Sequence, residues 1–380
     1  MTASEPHAPR FRADIIGSFI RPPDLLAARR AHGGDLVTLR PAAPKPVDLI
    51  ELENRAIRAV AAMQEQAGLR VATDGEFRRI FYYEGFLASV PGIEPRLVQD
   101  GAGVKFKSGF VAPRIAVAGK LRWPEGGVTV PDFRFLQSVT RATPKMTIPS
   151  PLHSMFYREG LVDRAAYPDM AELWADMADI YVKELAALAA AGCTYVQLDD
   201  TTLIRLCDPK FVAYLSERGV DPARELEQWI DVLADVAARK PKGLTLAIHT
   251  CRGNGPGGSF VSTGGYEPIA DRLFNRVAAD IYLLEYDTDR AGDFAPLRLI
   301  PAGKAAVLGL VSTKLPALED PASLCRRIEA AGKFIALERL AISPQCGFAS
   351  SVLDPPLTEA EQRRKLDLLV RVATDIWGQA

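Results

Sequence analysis

Cysteine is scarce in this chain. The 380 residues hold five, at positions 193, 207, 251, 325 and 346. An odd, sparse set does not make a disulfide framework, and it points to a reducing compartment where an important cysteine acts as thiolate or ligand. Long apolar runs are also missing: none approaches the roughly 18–20 residues that cross a bilayer, so no membrane span is expected. Charge of one sign is lacking too. Lys and Arg total 46 against 47 Asp and Glu, for a formal net charge of −1. The basic pairs Arg29-Arg30, Arg78-Arg79, Arg326-Arg327 and Arg363-Arg364 are scattered, which argues against a nucleic-acid surface. The first seven residues, Met1 to His7, contain no apolar core of a signal peptide, so the expected location is cytoplasmic. With 48% hydrophobic and 24% charged residues the composition is that of a globular protein.

What is present is a series of short apolar runs, rich in β-branched residues and bounded by Gly, Pro or Asp. Eight stand out: Ala13–Ser18, Leu69–Asp74, Lys145–Ser150, Thr194–Asp199, Leu244–His249, Ile281–Tyr286, Ala305–Val311 and Leu340–Pro344. Continuous rather than alternating hydrophobicity predicts parallel strands buried on both faces. Helical patterns lie between most of them. Leu173, Trp174, Met177, Tyr181, Leu185 and Leu188 share one face of a segment over 169–191 that stops at Gly192. Asp221-Pro222 and Asp320-Pro321 each place an N-cap before a first-turn proline, and Thr358 with Glu361 forms a capping box. Eight strand–helix units predict an α/β protein of the (β/α)₈ TIM-barrel type, with a doubly wound open sheet as the alternative. The whole chain, 1–380, is expected to be one barrel domain. Residues 95–143, which include a strand-like Arg114–Ala118, form a long excursion between strands two and three.

In such a barrel the active site lies at the C-terminal strand ends. Those ends carry Gly17-Ser18, Asp74-Gly75-Glu76, Asp199-Asp200, His249-Thr250-Cys251, Glu285 with Asp287, and Gln345-Cys346-Gly347. His249 and Cys251 are two apart, so in an extended segment their side chains face the same way. With Glu285 and Cys346 from other strands they make an imidazole–dithiol–carboxylate set suited to tetrahedral Zn²⁺. A single His-x-Cys is weak on its own, since free cysteine is commonly just a small buried hydrophobe; three strand ends acting together carry more. Cys193, Cys207 and Cys325 read as structural. The stretch Gly253–Gly258 lacks the Lys-Ser/Thr of a phosphate loop and reads as a mobile loop beside the metal.

Taken in order, Ile16-Gly17-Ser18, Asp74-Gly75-Glu76, Gln197-Leu198-Asp199, His249-Thr250-Cys251, Leu284-Glu285 and Pro344-Gln345-Cys346-Gly347 resemble the cobalamin-independent methionine synthase family. The likeness is to its zinc-bearing C-terminal barrel and the short stand-alone relatives, and spans about residues 13 to 377. It implies zinc-dependent methyl transfer to the thiol of homocysteine, giving methionine. His249, Cys251, Glu285 and Cys346 would hold the metal, Glu285 yielding its place to the incoming sulfur. Ser18, Glu76 and Asp199 would bind the amino-acid part, with the backbone of Ile16 to Ser18 at the carboxylate and the two acids at the ammonium.

Two features depart from that pattern. The family's Asp-x-His-Ser-Pro after strand seven, whose His is thought to protonate the departing folate, is replaced by Leu310-Val311-Ser312-Thr313-Lys314. Its folate-stacking Trp after strand three is replaced by Ile148-Pro149-Ser150-Pro151-Leu152-His153. The thiol-activating half is thus intact while the donor half is not. The donor is expected to be methyltetrahydrofolate, another methyl compound or a methyl-carrier protein, with His153 as a replacement acid or simply a solvated loop residue. Two other readings stay open. One is an epoxyalkane:coenzyme M transferase-like alkylation of a different thiol, with Arg21, Arg78 or Arg252 meeting the sulfonate. The other is a non-catalytic zinc- or thiol-binding relative.

Overall fold

The computed structural model of the protein describes residues 9–32, 45–96, 114–153, 160–255, 258–353 and 355–380. The strands are β1 Val71–Ala72, β2 Ile93–Arg96, β3 Arg114–Val117, β4 Thr143–Pro144, β5 Met146–Pro149, β6 Tyr195–Asp200, β7 Thr245–Thr250, β8 Ile281–Glu285, β9 Ala305–Val311 and β10 Leu340–Pro344. The helices are α1 Pro23–Ala31, α2 Val47–Gln66, α3 Glu84–Leu87, α4 Val130–Val139, α5 Met170–Ala190, α6 Pro209–Ser216, α7 Pro222–Ala238, α8 Glu267–Arg276, α9 Pro321–Ala331 and α10 Glu359–Trp377.

Strands β5 to β10 form one parallel sheet in sequence order, each paired with the next. All residues of β6, β8, β9 and β10 are buried, as continuous apolar runs require when helices cover one face and side chains fill the other. The caps expected from sequence form. Asp221 and Asp320 accept from first-turn N–H groups of α7 and α9, and Thr358 and Glu361 close the capping box of α10; Asp169, which the sequence did not single out, caps α5 in the same way. Among the described residues no helix is long and apolar enough to cross a membrane.

Two expected strands are shorter than their apolar runs. Of Leu69–Asp74 only β1 pairs, with β4, and Lys145 alone separates β4 from β5. Ala13–Ser18 is not a ladder strand. It makes isolated parallel bridges, Ala13 to Ile342 of β10 and Ser18 to Gly75 just beyond β1. The reason lies in its carbonyls, three of which are taken by buried side chains. Lys145 Nζ donates to Ile15 O at 2.6 Å, Gln197 Nε2 to Ile16 O at 2.7 Å and Thr73 Oγ1 to Gly17 O at 2.6 Å. Lys145 also pairs with Asp14 at 2.9 Å, while the Tyr195 hydroxyl donates to the other Asp14 oxygen at 2.5 Å. A polar grip therefore sets the position of this segment where backbone pairing does not.

In the region 95–143, β3 confirms the strand-like Arg114–Ala118 and pairs antiparallel with β2; residues 97–113 lie outside the described part. Glu184 of α5 fastens the later part. Its buried carboxylate accepts from Trp123 Nε1, the Val128 and Thr129 N–H groups and the Thr129 hydroxyl.

The Lys145→Met substitution is expected to leave the buried Asp14 with only Tyr195 and a backbone N–H, and to lower the unfolding free energy by about 3–5 kcal/mol. Urea unfolding of the variant measures this; an unshifted midpoint would show that the ion pair is not what holds the segment.

Candidate active site

The C-terminal strand ends gather the polar residues. His249 lies in β7, Cys251 immediately follows that strand, Cys346 lies two residues past β10, and all three are buried. Their donor atoms all lie within 4.8 Å of one another, and the two sulfurs are 3.2 Å apart. His249 Nδ1 is 3.2 Å from the Leu283 carbonyl. That contact fixes Nδ1 as the protonated nitrogen, so Nε2 carries the lone pair. Nε2 is buried and has no hydrogen-bond partner of its own. The neighbouring Cys346 sulfur and burial push the Cys251 thiol well above its ordinary range, and a cation reverses that balance.

Glu285, the last residue of β8, does not join the three donors. One oxygen is bonded to Arg290 Nη2, and the other accepts the Arg252 backbone N–H at 2.8 Å. Burial pushes its carboxyl up, but Lys314, Arg290 and Arg252 more than offset this and hold it below its ordinary value.

A second set of acids faces a different environment. Glu76 has φ of 59°, the one non-glycine residue with positive φ among the described residues. Asp74 Oδ1 accepts its N–H at 2.8 Å, and Arg21 Nη2 donates to its carbonyl at 2.9 Å. A left-handed backbone at a residue with a side chain costs energy, and these bonds hold it in place. Thr147 donates to Glu76 Oε1 at 2.9 Å, whereas Oε2 is buried without a partner. Burial raises the carboxyl to about 7, against the pull of Arg79 and with Asp199 and Asp74 adding to the rise. Asp199, at the end of β6, accepts from Gln197 Nε2 at 2.6 Å; burial pushes it up against the pull of His249. Its neighbour Asp200 instead caps the turn through the Thr202 and Leu203 N–H groups, so the two differ in role.

Glycine joins the metal-type cluster to these acids. A Cβ on Gly347 would sit 1.9 Å from Ser18 Oγ, and one on Gly17 would sit 2.6 Å from Glu76 Oε1. The Phe348 N–H donates to Ser18 O at 2.8 Å, which locks the Cys346 turn against the segment carrying Ile16 and Ser18. Asn254, in the loop after Cys251, donates to Gly347 O at 2.7 Å and accepts from Lys314 Nζ at 3.3 Å. Of that loop, residues 256 and 257 lie outside the described part.

His153 is half-buried rather than solvated. Its Nδ1 is 2.8 Å from the Tyr82 hydroxyl, and its ring stacks on Tyr83 with centroids 4.2 Å apart. Sequence reasoning passed over Tyr82, Tyr83 and Arg290. Only the dipeptide Tyr82-Tyr83 near the Glu76 turn hinted at an aromatic platform, and an arginine five residues after Glu285 carried no signal.

The arrangement defines a class: a parallel α/β protein whose strand ends unite a buried imidazole–dithiol group with buried carboxyls. No family model matches the chain. Individual proteins do. It is 36% identical over 370 residues to the uncharacterized protein YxjH of Bacillus subtilis (strain 168), covering 97% of this chain and 95% of that one. A Listeria monocytogenes structure assigned as a vitamin B12-independent methionine synthase superposes with a TM-score of 0.74 at 30% identity, covering 98% of this chain and 100% of the other. The B12-independent methionine synthase of Shewanella sp. W3-18-1, solved in complex with selenomethionine, gives a TM-score of 0.72 at 21% identity over 96% and 97% of the two chains. The chain belongs to the cobalamin-independent methionine synthase family, whose members include short stand-alone forms.

Proposed function

We propose that the protein is a zinc-dependent thiol S-methyltransferase that converts homocysteine to methionine, on a closed (β/α)₈ barrel. The bridges of residues 13–18 to β10 on one side and to Gly75 on the other support closure. The observation that carries the activity is the buried His249, Cys251 and Cys346 group, with His249 oriented by Leu283 so that its unpartnered Nε2 is the coordinating atom. One imidazole and two thiols in this geometry fit zinc, with Glu285 as the fourth, exchangeable ligand. Zinc held there would lower the pKa of the acceptor thiol, so that thiolate forms at neutral pH.

The chain's residues do the rest. Glu76 and Asp199 bind the ammonium of the acceptor, and Ser18 with the backbone from Ile16 binds its carboxylate. The selenomethionine bound by the Shewanella relative has the same amino-acid end. The thiolate then attacks the methyl carbon of a small methyl compound or a methyl-carrier protein. As the S–C bond forms, the methyl leaves its donor atom, which keeps the electron pair. Where that atom is nitrogen or oxygen it takes a proton from His153, held by Tyr82 and Tyr83.

Transfer to a sulfonate-bearing thiol fits less well. Arg21 donates to four backbone carbonyls, those of Glu76, Arg79, Ala349 and Ser351. Arg252 is likewise occupied by Gly264 O, Tyr266 and Glu285 O, and Arg78 by Asn54 and Asp132.

Elemental analysis of purified wild type is expected to find about one zinc per chain, and Cys346→Ser to lose most of it. Zinc-free wild type would sink the reading. The ammonium site gives a separate prediction. Glu76 must be ionised to pair with an ammonium, and its carboxyl titrates about 7. Methionine, which has no thiol to titrate, should therefore bind more tightly as pH rises from about 6 to about 8. The gain should reach up to about tenfold per unit on the acid side and flatten above. Glu76→Gln should weaken binding and remove the slope. A slope that survives in the variant would assign the titration elsewhere.

A further inference from the structure

Glu285 has a second partner to which the transfer reaction gives no role. Its carboxylate is fully buried, yet its direct charged partner is Arg290, not the three-donor group. Arg290 is itself fixed in place. Nη2 also pairs with Asp287 at 2.6 Å, Nη1 donates to Thr288 Oγ1 at 2.7 Å, and the guanidinium lies 5.1 Å from the centre of the Phe260 ring. The Arg290 side chain is only 11% exposed. Arg252, the other nearby guanidinium, donates to Gly264 O, Tyr266 and the Glu285 carbonyl, and meets the Glu285 carboxylate only through its backbone N–H.

A buried carboxylate cannot be left without a cation at low cost. If Glu285 leaves a metal ligand position to admit the acceptor sulfur, it needs a second cation already waiting within reach. We propose that Arg290 is that cation: a positioning residue that competes with the metal for the Glu285 carboxylate and receives it when the acceptor sulfur enters. This rests on the metal–thiol reading above. The fixed anchors of Arg290 on Asp287 and Thr288 mean that the guanidinium stays put while the carboxylate moves between two positive partners. A metal held by His249, Cys251 and Cys346 would thereby keep the Glu285 position open to exchange.

The test is zinc affinity by chelator competition and homocysteine binding to the cobalt-substituted protein by absorption, for wild type, Arg290→Met, Glu285→Gln and the double variant. Arg290→Met should release Glu285 to the metal, raising zinc affinity about tenfold and lowering homocysteine affinity by a similar factor. Both changes should vanish in the Glu285→Gln background, because the two residues act as a pair. Arg290→Lys, which keeps a cation and the smaller risk to folding, should fall between. Unchanged zinc affinity in folded Arg290→Met, or a gain that persists with Glu285→Gln, overturns the proposal. If wild type failed to bind homocysteine while the zinc effect held, the pairing would stand and the choice of acceptor would fall.

Discussion

A buried lysine sets the geometry of the site. Lys145 sits between β4 and β5 and holds both Asp14 and the Ile15 carbonyl. Through Tyr195, the same Asp14 is tied to β6. Residues 13–18 thus reach the rest of the molecule through side chains as much as through backbone. Everything on the amino-acid side of the site depends on that position. Ser18 stands against Gly347 closely enough to exclude any side chain there, and Gly347 directly follows Cys346. A shift of this segment would change how Glu76 sits relative to the Cys251 and Cys346 sulfurs. Polar contacts are directional, so they fix that placement more narrowly than apolar packing would.

The acids of the site are divided by their surroundings. Glu76 and Asp199 are pushed up because burial dominates and their cationic neighbours do not fully offset it. Glu285 is held down because Lys314, Arg290 and Arg252 together outweigh the same burial. Carboxyls driven in opposite directions are suited to different tasks. Glu76 has Arg79 only at 3.7 Å and keeps Oε2 without a hydrogen-bond partner, whereas Glu285 is bonded to Arg290 directly. This division of charge is what supports the proposed orientation of an amino-acid thiol, with its ammonium at Glu76 and Asp199 and its sulfur at the His249, Cys251 and Cys346 end.

Much of this was legible in the sequence because burial on both faces leaves continuous apolar runs, and because strand ends in such folds expose the polar residues that follow them. β6 to β10 match their runs closely, and His249 and Cys251, two apart, lie together with Cys346 from another strand end. The first run failed as a strand because Thr73, Lys145 and Gln197, 56 or more residues away in the chain, take three of its carbonyls. No pattern within Ala13–Ser18 records that. Glu285 was read as a ligand from its residue type and place. Its attachment to Arg290 could not be read, because arginines at that spacing follow many buried acids without touching them. His153 shows the opposite limit: a lone loop histidine looked solvated until Tyr82 and Tyr83 were brought against it by the turn after Glu76.

The end of β9 argues that the donor side is organised differently from the acceptor side. Each polar residue there is committed to bracing the site. Ser312 donates to Asp287, the anchor of Arg290. Thr313 donates to Gln345 and to the Gly347 carbonyl, on either side of Cys346. Lys314 reaches Asn254, whose amide holds the same Gly347 carbonyl. A group locked into holding the metal turn cannot also follow a leaving atom through a reaction. A proton delivered on the donor side must come from a residue with a different attachment. His153 has one: its Nδ1 meets the Tyr82 hydroxyl and, at 3.5 Å, the Thr201 hydroxyl, its ring stacks on Tyr83, and it belongs to the loop after β5 rather than to the β9 end. On the proposed reading, the acceptor side is braced through β9 and β10, while His153 sits on a separate element, the loop after β5.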